Sequence, residues 1–368
     1  MKILHRYILV SLIINLVLTL CIFTFILFLG NIVKDAIVLL SNQSVSLFTI
    51  SKFFLLLLPS ILTLSLPIAL LASTLLVMGR LSADHELVAS RASGISLFQL
   101  ILPILGFATI LGFFSFYING FVGPATKYRF NQAFIEIILK DPMAFLPEGE
   151  QIKDFEDLVV FIGKRDLDQK RLFDIQVMRF VSDEMTEWIS AEEGEVTSDR
   201  KQLKLRIKLI QARIDKRDQN DLPDQQIVAP EYTVDLELSE LIDPRRAVKD
   251  NRHLTFSELW NGIKEYQKEH PNEHPTPMLV ELHRRFVFSV ACIAFVLIGL
   301  PLGIQVQRRE TSIGILLSLV LAVLWYLLII VAECFKKNPA YYPELLLWIP
   351  NLTLEAIGIY LLWKQSKV

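Results

Sequence analysis

Three sets of ionisable residues in this chain have types and spacings that could do chemistry. The first is Arg80, Asp84, Glu86 and Arg91, in the stretch Gly79-Arg80-Leu81-Ser82-Ala83-Asp84-His85-Glu86-Leu87-Val88-Ala89-Ser90-Arg91-Ala92-Ser93-Gly94. Carboxylates and guanidiniums carried on a short helix make charge-assisted hydrogen bonds to a partner of opposite charge, which suits docking rather than bond making, and a solvated connector would carry the same charges. The second set is Lys34, Lys52, Arg284 and Arg285, cations at the edges of apolar runs, at the depth where an anionic lipid headgroup would lie. Long basic side chains at such edges also snorkel without binding anything. The third is His270, Glu273 and His274, which have metal-ligand types, but Pro271 and Pro275 break the helix that would align them, so no metal site is expected.

No bond-making set completes the picture. The chain has no HExxH, no GxSxG and no other nucleophile and base arrangement, so an enzyme is not expected. It has no Walker A pattern GxxxxGK[ST], so any nucleotide hydrolysis belongs to another chain, and no cofactor is expected. Glu355 stands inside an apolar run, where an ionisable group is costly unless it faces protein or water, and a structural role is expected for it. Glu333 lies nearer the edge of its run. Cys21, Cys292 and Cys334 all fall in or beside apolar runs, as small apolar residues rather than a disulfide or zinc framework.

These residues are positioned by six apolar stretches, near 7–30, 53–78, 97–121, 284–304, 312–334 and 344–363. Each approaches the ~20 apolar residues that a spanning helix needs, because bilayer hydrocarbon cannot satisfy free backbone amides. A hydrophobic share of 52% and a mean hydropathy of +0.44 place the whole chain, not one window, in the membrane class. The first run is too long for a signal-peptide core and is expected to be a retained helix. Pro59, Pro67, Pro103, Pro301 and Pro350 lie in or at the ends of these runs and should kink several of them. A net charge of -2 gives no basic footprint for nucleic acid.

The short loops set the orientation. Lys2, Arg6, Arg80, Arg91, Arg308, Arg309, Lys364 and Lys367 fall on one side, against Lys34, Lys52, Lys336 and Lys337 on the other, which makes both termini cytoplasmic and the central insert external. Within the insert, Leu203, Leu205, Ile207 and Leu209 alternate with Lys204, Arg206 and Lys208, and Tyr232, Val234, Leu236 and Leu238 alternate with Thr233, Asp235 and Glu237. Such period-two patterns make strands with one apolar face. Further strands are expected at 158–162, 173–181 and 187–191, closing as a two-sheet sandwich or an open barrel around either a closed core or a lipid groove. Flanking helices are expected at 127–139 and 255–270. In the 79–94 loop, Ser82 is a plausible N-cap and Gly94 the stop, with Leu81, Leu87, Val88 and Ala92 on one side and the charges on another.

The motif Arg80-Leu81-Ser82-x-Asp84-x-Glu86-Leu87-Val88-Ala89-x-Arg91-Ala92-Ser93-Gly94 resembles the signature loop of the lipopolysaccharide-export permease family, the LptF and LptG paralogues. Glu281-Leu282-His283-Arg284-Arg285-Phe286, Gly299-Leu300-Pro301-Leu302-Gly303 and Pro350-Asn351-Leu352 are similar to that family as well, so the likeness covers essentially the whole chain. It implies a helical membrane protein with six transmembrane helices and an inserted all-β, jellyroll-like periplasmic domain. The divisions would be helices one to three at 1–121 with a coupling helix at 79–94, the β domain with flanking helices at 122–278, and helices four to six at 279–368. It also implies a bacterial inner-membrane permease subunit of an ABC-type exporter, with a cytoplasmic ATPase dimer, a paralogous permease, a periplasmic bridge protein and lipopolysaccharide as partners. Glu86, with Asp84, Arg91 and Arg80, would then couple to the ATPase. The competing expectation is a membrane-anchored periplasmic scaffold or sensor, for which six proline-containing spans are more than an anchor requires.

Overall fold

A computed structural model describes residues 2–40, 47–140, 146, 148–149, 151–152, 158–166, 171–181, 184–199, 204–217, 223–237, 250–271, 273–306, 311–336 and 338–367. Its helices are α1 (Lys2–Leu40), α2 (Leu47–Ala83), α3 (Glu86–Ala92), α4 (Leu97–Tyr117), α5 (Gly123–Lys140), α6 (Phe256–Glu269), α7 (Thr276–Val306), α8 (Thr311–Cys334), α9 (Pro343–Leu346) and α10 (Ile349–Ser366). Six segments of this set are long and apolar enough to cross a membrane. They run past the apolar windows at several ends, because a helix continues into the polar interface until a cap or a turn stops it. The chain divides into two compact units, residues 1–32, 54–127 and 251–368 in the first and 33–53 and 128–250 in the second.

In the first unit α7 is the central helix. Val287, Ala291, Cys292, Ala294, Phe295, Val296 and Leu300 are all fully buried on it, which covers every face. A helix apolar all round is stable only when neighbours surround it, and α4 and α10 both pack on α7. Without a hydrophobic force between helices in lipid, close approach through small residues is what binds them. A Cβ at Gly303 would stand 2.7 Å from Met78 Cβ and one at Gly299 3.1 Å from Leu71 Cδ1, so α2 lies directly on this pair of glycines.

Pro301 makes α10 approach more closely still. Lacking an N–H, it leaves the carbonyl of Leu297 without its helical donor. At Gly358 an added Cβ would meet that same Leu297 oxygen at 2.5 Å, and the carbonyl of Pro301 itself accepts from Gln365 Nε2 at 2.9 Å. Asn351 completes the seam, accepting from Trp325 Nε1 at 2.7 Å and donating to the Val287 carbonyl at 2.8 Å. Gly358→Ala is therefore expected to push α10 off α7 at a cost of about 1–3 kcal/mol. The check is the thermal midpoint of the detergent-purified protein, which should fall; an unchanged midpoint would mean that this seam is not tight.

The second unit carries one antiparallel sheet in sequential order, β1 (Gln151–Ile152), β2 (Leu158–Asp166), β3 (Arg171–Val181), β4 (Glu184–Asp199), β5 (Lys204–Arg217) and β6 (Pro223–Glu237). One face is apolar and buried through Val160, Ile162, Leu172, Ile175, Val177, Ile189, Leu205, Ile207, Leu209, Val234 and Leu236. The other is charged, with Arg206 on Asp235 at 2.9 Å and Lys208 on Glu231 at 2.8 Å. Its hydrogen bond to Glu231 raises the Lys208 ammonium above its ordinary pKa.

A line of irregularities crosses the sheet. Buried positions switch parity between Leu172 and Ile175, between Ala191 and Gly194, and between Leu209 and Ala212, with Asp174 and Gln211 at φ 53 in the left-handed region. The pairing of each strand skips the same level, at Gly163 against Asp174 and at Gln211 against Pro230. Both strands of each pair break the alternation at this level, so the register is the same on either side of it and the apolar side chains return to one face. A helical membrane protein with an inserted β domain is thus what the chain forms. Its described strands make one creased sheet rather than two separate ones, and they run longer than the expected segments because the break at this level interrupts the alternation. Leu203 and Leu238 lie outside the described residues.

Candidate functional site

Two polar sites occupy opposite ends of α2 and α7 in the first unit. Ser60 and Ala83 on α2, like Arg284 and Val306 on α7, are separated by roughly 34 Å at 1.5 Å per residue, a little over the thickness of bilayer hydrocarbon.

The first site begins with a proline. Pro124 follows α4 in a continuous helical run that passes through a π-turn at Ile118–Val122 into α5. With no N–H to give, Pro124 frees the carbonyl of Gly120, and the wider turn relieves the clash of its ring. Arg285 takes up that carbonyl, donating from Nη1 at 3.4 Å. Its Nη2 donates to the carbonyls of Leu254 at 2.6 Å and Asn251 at 3.4 Å, and its Nε to Glu281 at 3.4 Å. The Arg285 side chain is only 3% exposed. Arg285 is a clamp that fixes the 251–254 segment and the π-turn onto α7.

Glu281 compensates this buried charge and a second one. Arg284 makes a bidentate pair with it, at 2.9 and 3.1 Å, at i+3, and Arg285 meets it at i+4. Arg284 also approaches Glu333 of α8 at 3.7 Å, and Glu333 in turn meets Arg252 at 3.7 Å. The cleft beside this network, about 150 Å³, is lined by Ser60, Asn119, Gly123, Lys127, Arg252, Arg284 and Arg285 among others. Among the described residues Arg252, Arg284 and Arg285 share two carboxylates, Glu281 and Glu333, so positive charge is in excess in a cleft that Lys127 also lines. Such a cleft attracts a phosphate or another compact anion.

Of the four expected headgroup residues, the structure brings Arg284 and Arg285 together here. Arg284 keeps 29% of its side chain exposed and faces the cleft, whereas Arg285 has its donors engaged by protein. Lys52 is exposed on α2 and is not among the cleft's lining residues. Lys34 lies on α1, with its side chain outside the described residues. Arg252, Lys127 and Asn119 were not singled out from sequence. The spacing of Glu281 with Arg284 and Arg285, one carboxylate and two guanidiniums at i, i+3 and i+4, was the legible signal of the network.

The second site is the 79–94 turn. Ser82 is not a helix N-cap: α2 continues to Ala83, and the Ser82 hydroxyl donates to the Ile304 carbonyl at 2.8 Å, tying α2 to the end of α7. The break comes at His85, in the left-handed region at φ 58, and α3 starts at Glu86. This later start changes the helix phase. Leu81 and Leu87 are buried as one apolar face, while Val88 is 63% exposed and Ala92 is exposed as well. Gly94, at φ 83, stops the helix, and Ser96 opens α4 with a capping box to Gln99.

Arg80, Asp84 and Arg91 are exposed around α3, and Glu86 is half-buried. Glu86 accepts a hydrogen bond from Tyr7 of α1 at 3.1 Å. No sequence signal linked Tyr7 to this turn. Glu355, on α10, is partly exposed and makes no ion pair among the described residues. Neither His270 nor His274 joins a metal-binding cluster, and no group of three or more candidate ligands occurs among the described residues.

The family model described as lipopolysaccharide export system permease LptF/LptG matches residues 6–364. No curated protein matches the chain.

Proposed function

This chain belongs to the lipopolysaccharide export permease family LptF/LptG, and on that premise we propose that α3 receives the stroke of a separate cytoplasmic ATPase while the cationic cleft receives the lipid. The chain is a permease subunit of lipopolysaccharide export and a multi-pass inner-membrane protein, not an enzyme. The observation that carries the finer reading is the placing of a docking helix and an anion-attracting cleft at opposite ends of the same two helices.

In this reading the exposed Val88 and Ala92 enter an apolar groove of the ATPase, Glu86 pairs with a basic residue there, and Asp84, Arg91 and Arg80 set the orientation. Closure of the ATPase dimer moves α3. Because Ser82 holds the end of α2 to Ile304, and Gly299 and Gly303 seat α2 on α7, that movement passes along both helices to the cleft. Both termini and α3 are cytoplasmic, and the β unit is periplasmic, where its apolar face accepts acyl chains and passes them to a bridge protein. A paralogous permease supplies the other half of the gate. No feature of the chain favours a scaffold or sensor instead.

Two measurements test this. Purification in nanodiscs together with the neighbouring ATPase should retain both that chain and lipopolysaccharide; loss of both would defeat the assignment. Neutralising Arg284 should reduce lipopolysaccharide crosslinking to the permease by about tenfold, as expected for loss of a hydrogen bond to a charged group. Equal crosslinking would remove this residue from the lipid site.

A further inference from the structure

We propose that Tyr7 is a positioning residue that presents Glu86 to the partner ATPase and ties the start of α1 to α3. This rests on the reading of α3 as the docking helix. The Tyr7 hydroxyl donates to Glu86 Oε1 at 3.1 Å and accepts from Arg80 Nη2 at 2.8 Å. The same Arg80 nitrogen reaches Ser11 Oγ, one turn further along α1, at 3.3 Å, and the guanidinium carbon stands 5.7 Å from the Tyr7 ring centroid.

The order of these groups matters. A phenol that accepts from a guanidinium has its own proton left for the next acceptor, so Arg80 fixes the direction of the Tyr7 O–H towards Glu86. The positive charge on Arg80 polarises that O–H and strengthens the second bond. A direct Arg80–Glu86 ion pair would instead neutralise the carboxylate. With the phenol between them Glu86 is held without being paired, and among the described residues it makes no ion pair and its second oxygen accepts no hydrogen bond. A cavity of about 790 Å³ opens beside Tyr7, Arg80, Asp84 and Glu86. An incoming Lys or Arg of the ATPase therefore meets a carboxylate already oriented, which lowers the ordering cost of docking.

The bond also makes α1 a follower. A displacement of α3 pulls on Tyr7 through Glu86, while Arg80 of α2 holds Ser11, so the first helix moves with the docking helix rather than after it. Loss of the Tyr7 hydroxyl removes this link and leaves the ring in place.

The test uses the full permease with its ATPase, in proteoliposomes containing lipopolysaccharide. Tyr7→Phe should keep the ATPase bound but lower ATP-driven lipopolysaccharide release by about tenfold, the loss expected for a hydrogen bond to a charged group. In a Glu86→Gln background Tyr7→Phe should have little further effect, because the two act as one unit. Equal losses in both backgrounds, or unchanged release in Tyr7→Phe where Glu86→Gln abolishes it, would overturn the positioning role alone. Full release by Glu86→Gln would overturn the docking reading on which the proposal rests.

Discussion

Glu281→Ala is expected to destabilise the membrane unit by about 3–5 kcal/mol, the cost of leaving a buried charge without its partner. Glu281 is 4% exposed and is shared by Arg284 and Arg285, so its removal strands the Arg285 guanidinium, itself 3% exposed, among backbone carbonyls. Those carbonyls belong to Gly120, Asn251 and Leu254, and the loosened clamp would release the π-turn and the 251–254 segment together. The change is read as a lower thermal midpoint of the detergent-purified protein and lower abundance in the membrane. Glu333→Ala is the internal comparison. Glu333 is 25% exposed and meets its two arginines only at 3.7 Å, so its loss should cost well under half as much. Equal effects of the two substitutions would show that burial is not what makes Glu281 matter.

Glu86→Ala should leave insertion and folding intact and reduce lipopolysaccharide release by at least tenfold, in the range of a charged residue at the centre of an interface. The side chain is half-buried at the start of α3 and bonds only to Tyr7 among the described residues, so truncation removes little packing. Arg91→Ala and Asp84→Ala, at exposed positions around the same helix, should act mainly on the rate and salt dependence of ATPase association, as charges at an interface rim do. Release measured per ATP hydrolysed separates the cases. A Glu86→Ala protein that transports at the wild-type rate would rule out its part in coupling.

The membrane helices were legible in the sequence because each apolar run must be satisfied by its own backbone, and no other element can do this in hydrocarbon. The strands at Leu205–Leu209 and Tyr232–Leu236 were legible for a similar reason, one buried face at period two. Their extensions were not, since the left-handed residues Gln211 and Asp174 shift the parity of the pattern and hide the continuity of a single strand. The 79–94 turn declared its charges and its Gly94 stop, but not the left-handed His85, which a non-glycine sequence does not announce. Ser82 had the residue type of a cap, yet tertiary packing gave its hydroxyl to Ile304 instead. The cleft was half visible. Arg284 and Arg285 stand out as cations at a membrane edge, whereas the separation of their roles depends on Pro124, far away in sequence, freeing the carbonyl to which Arg285 donates. Tyr7 and Arg252 act across the fold and left no local trace.

We propose that lipopolysaccharide sits at the Arg284 cleft and leaves it when ATP is consumed. A photocrosslinking residue in place of Lys127, at the cleft's edge, in permease reconstituted with its ATPase and lipopolysaccharide, tests this most directly. A lipopolysaccharide adduct is expected without nucleotide, and it should decline on addition of ATP. Absence of an adduct, or one that ATP leaves unchanged, would contradict it.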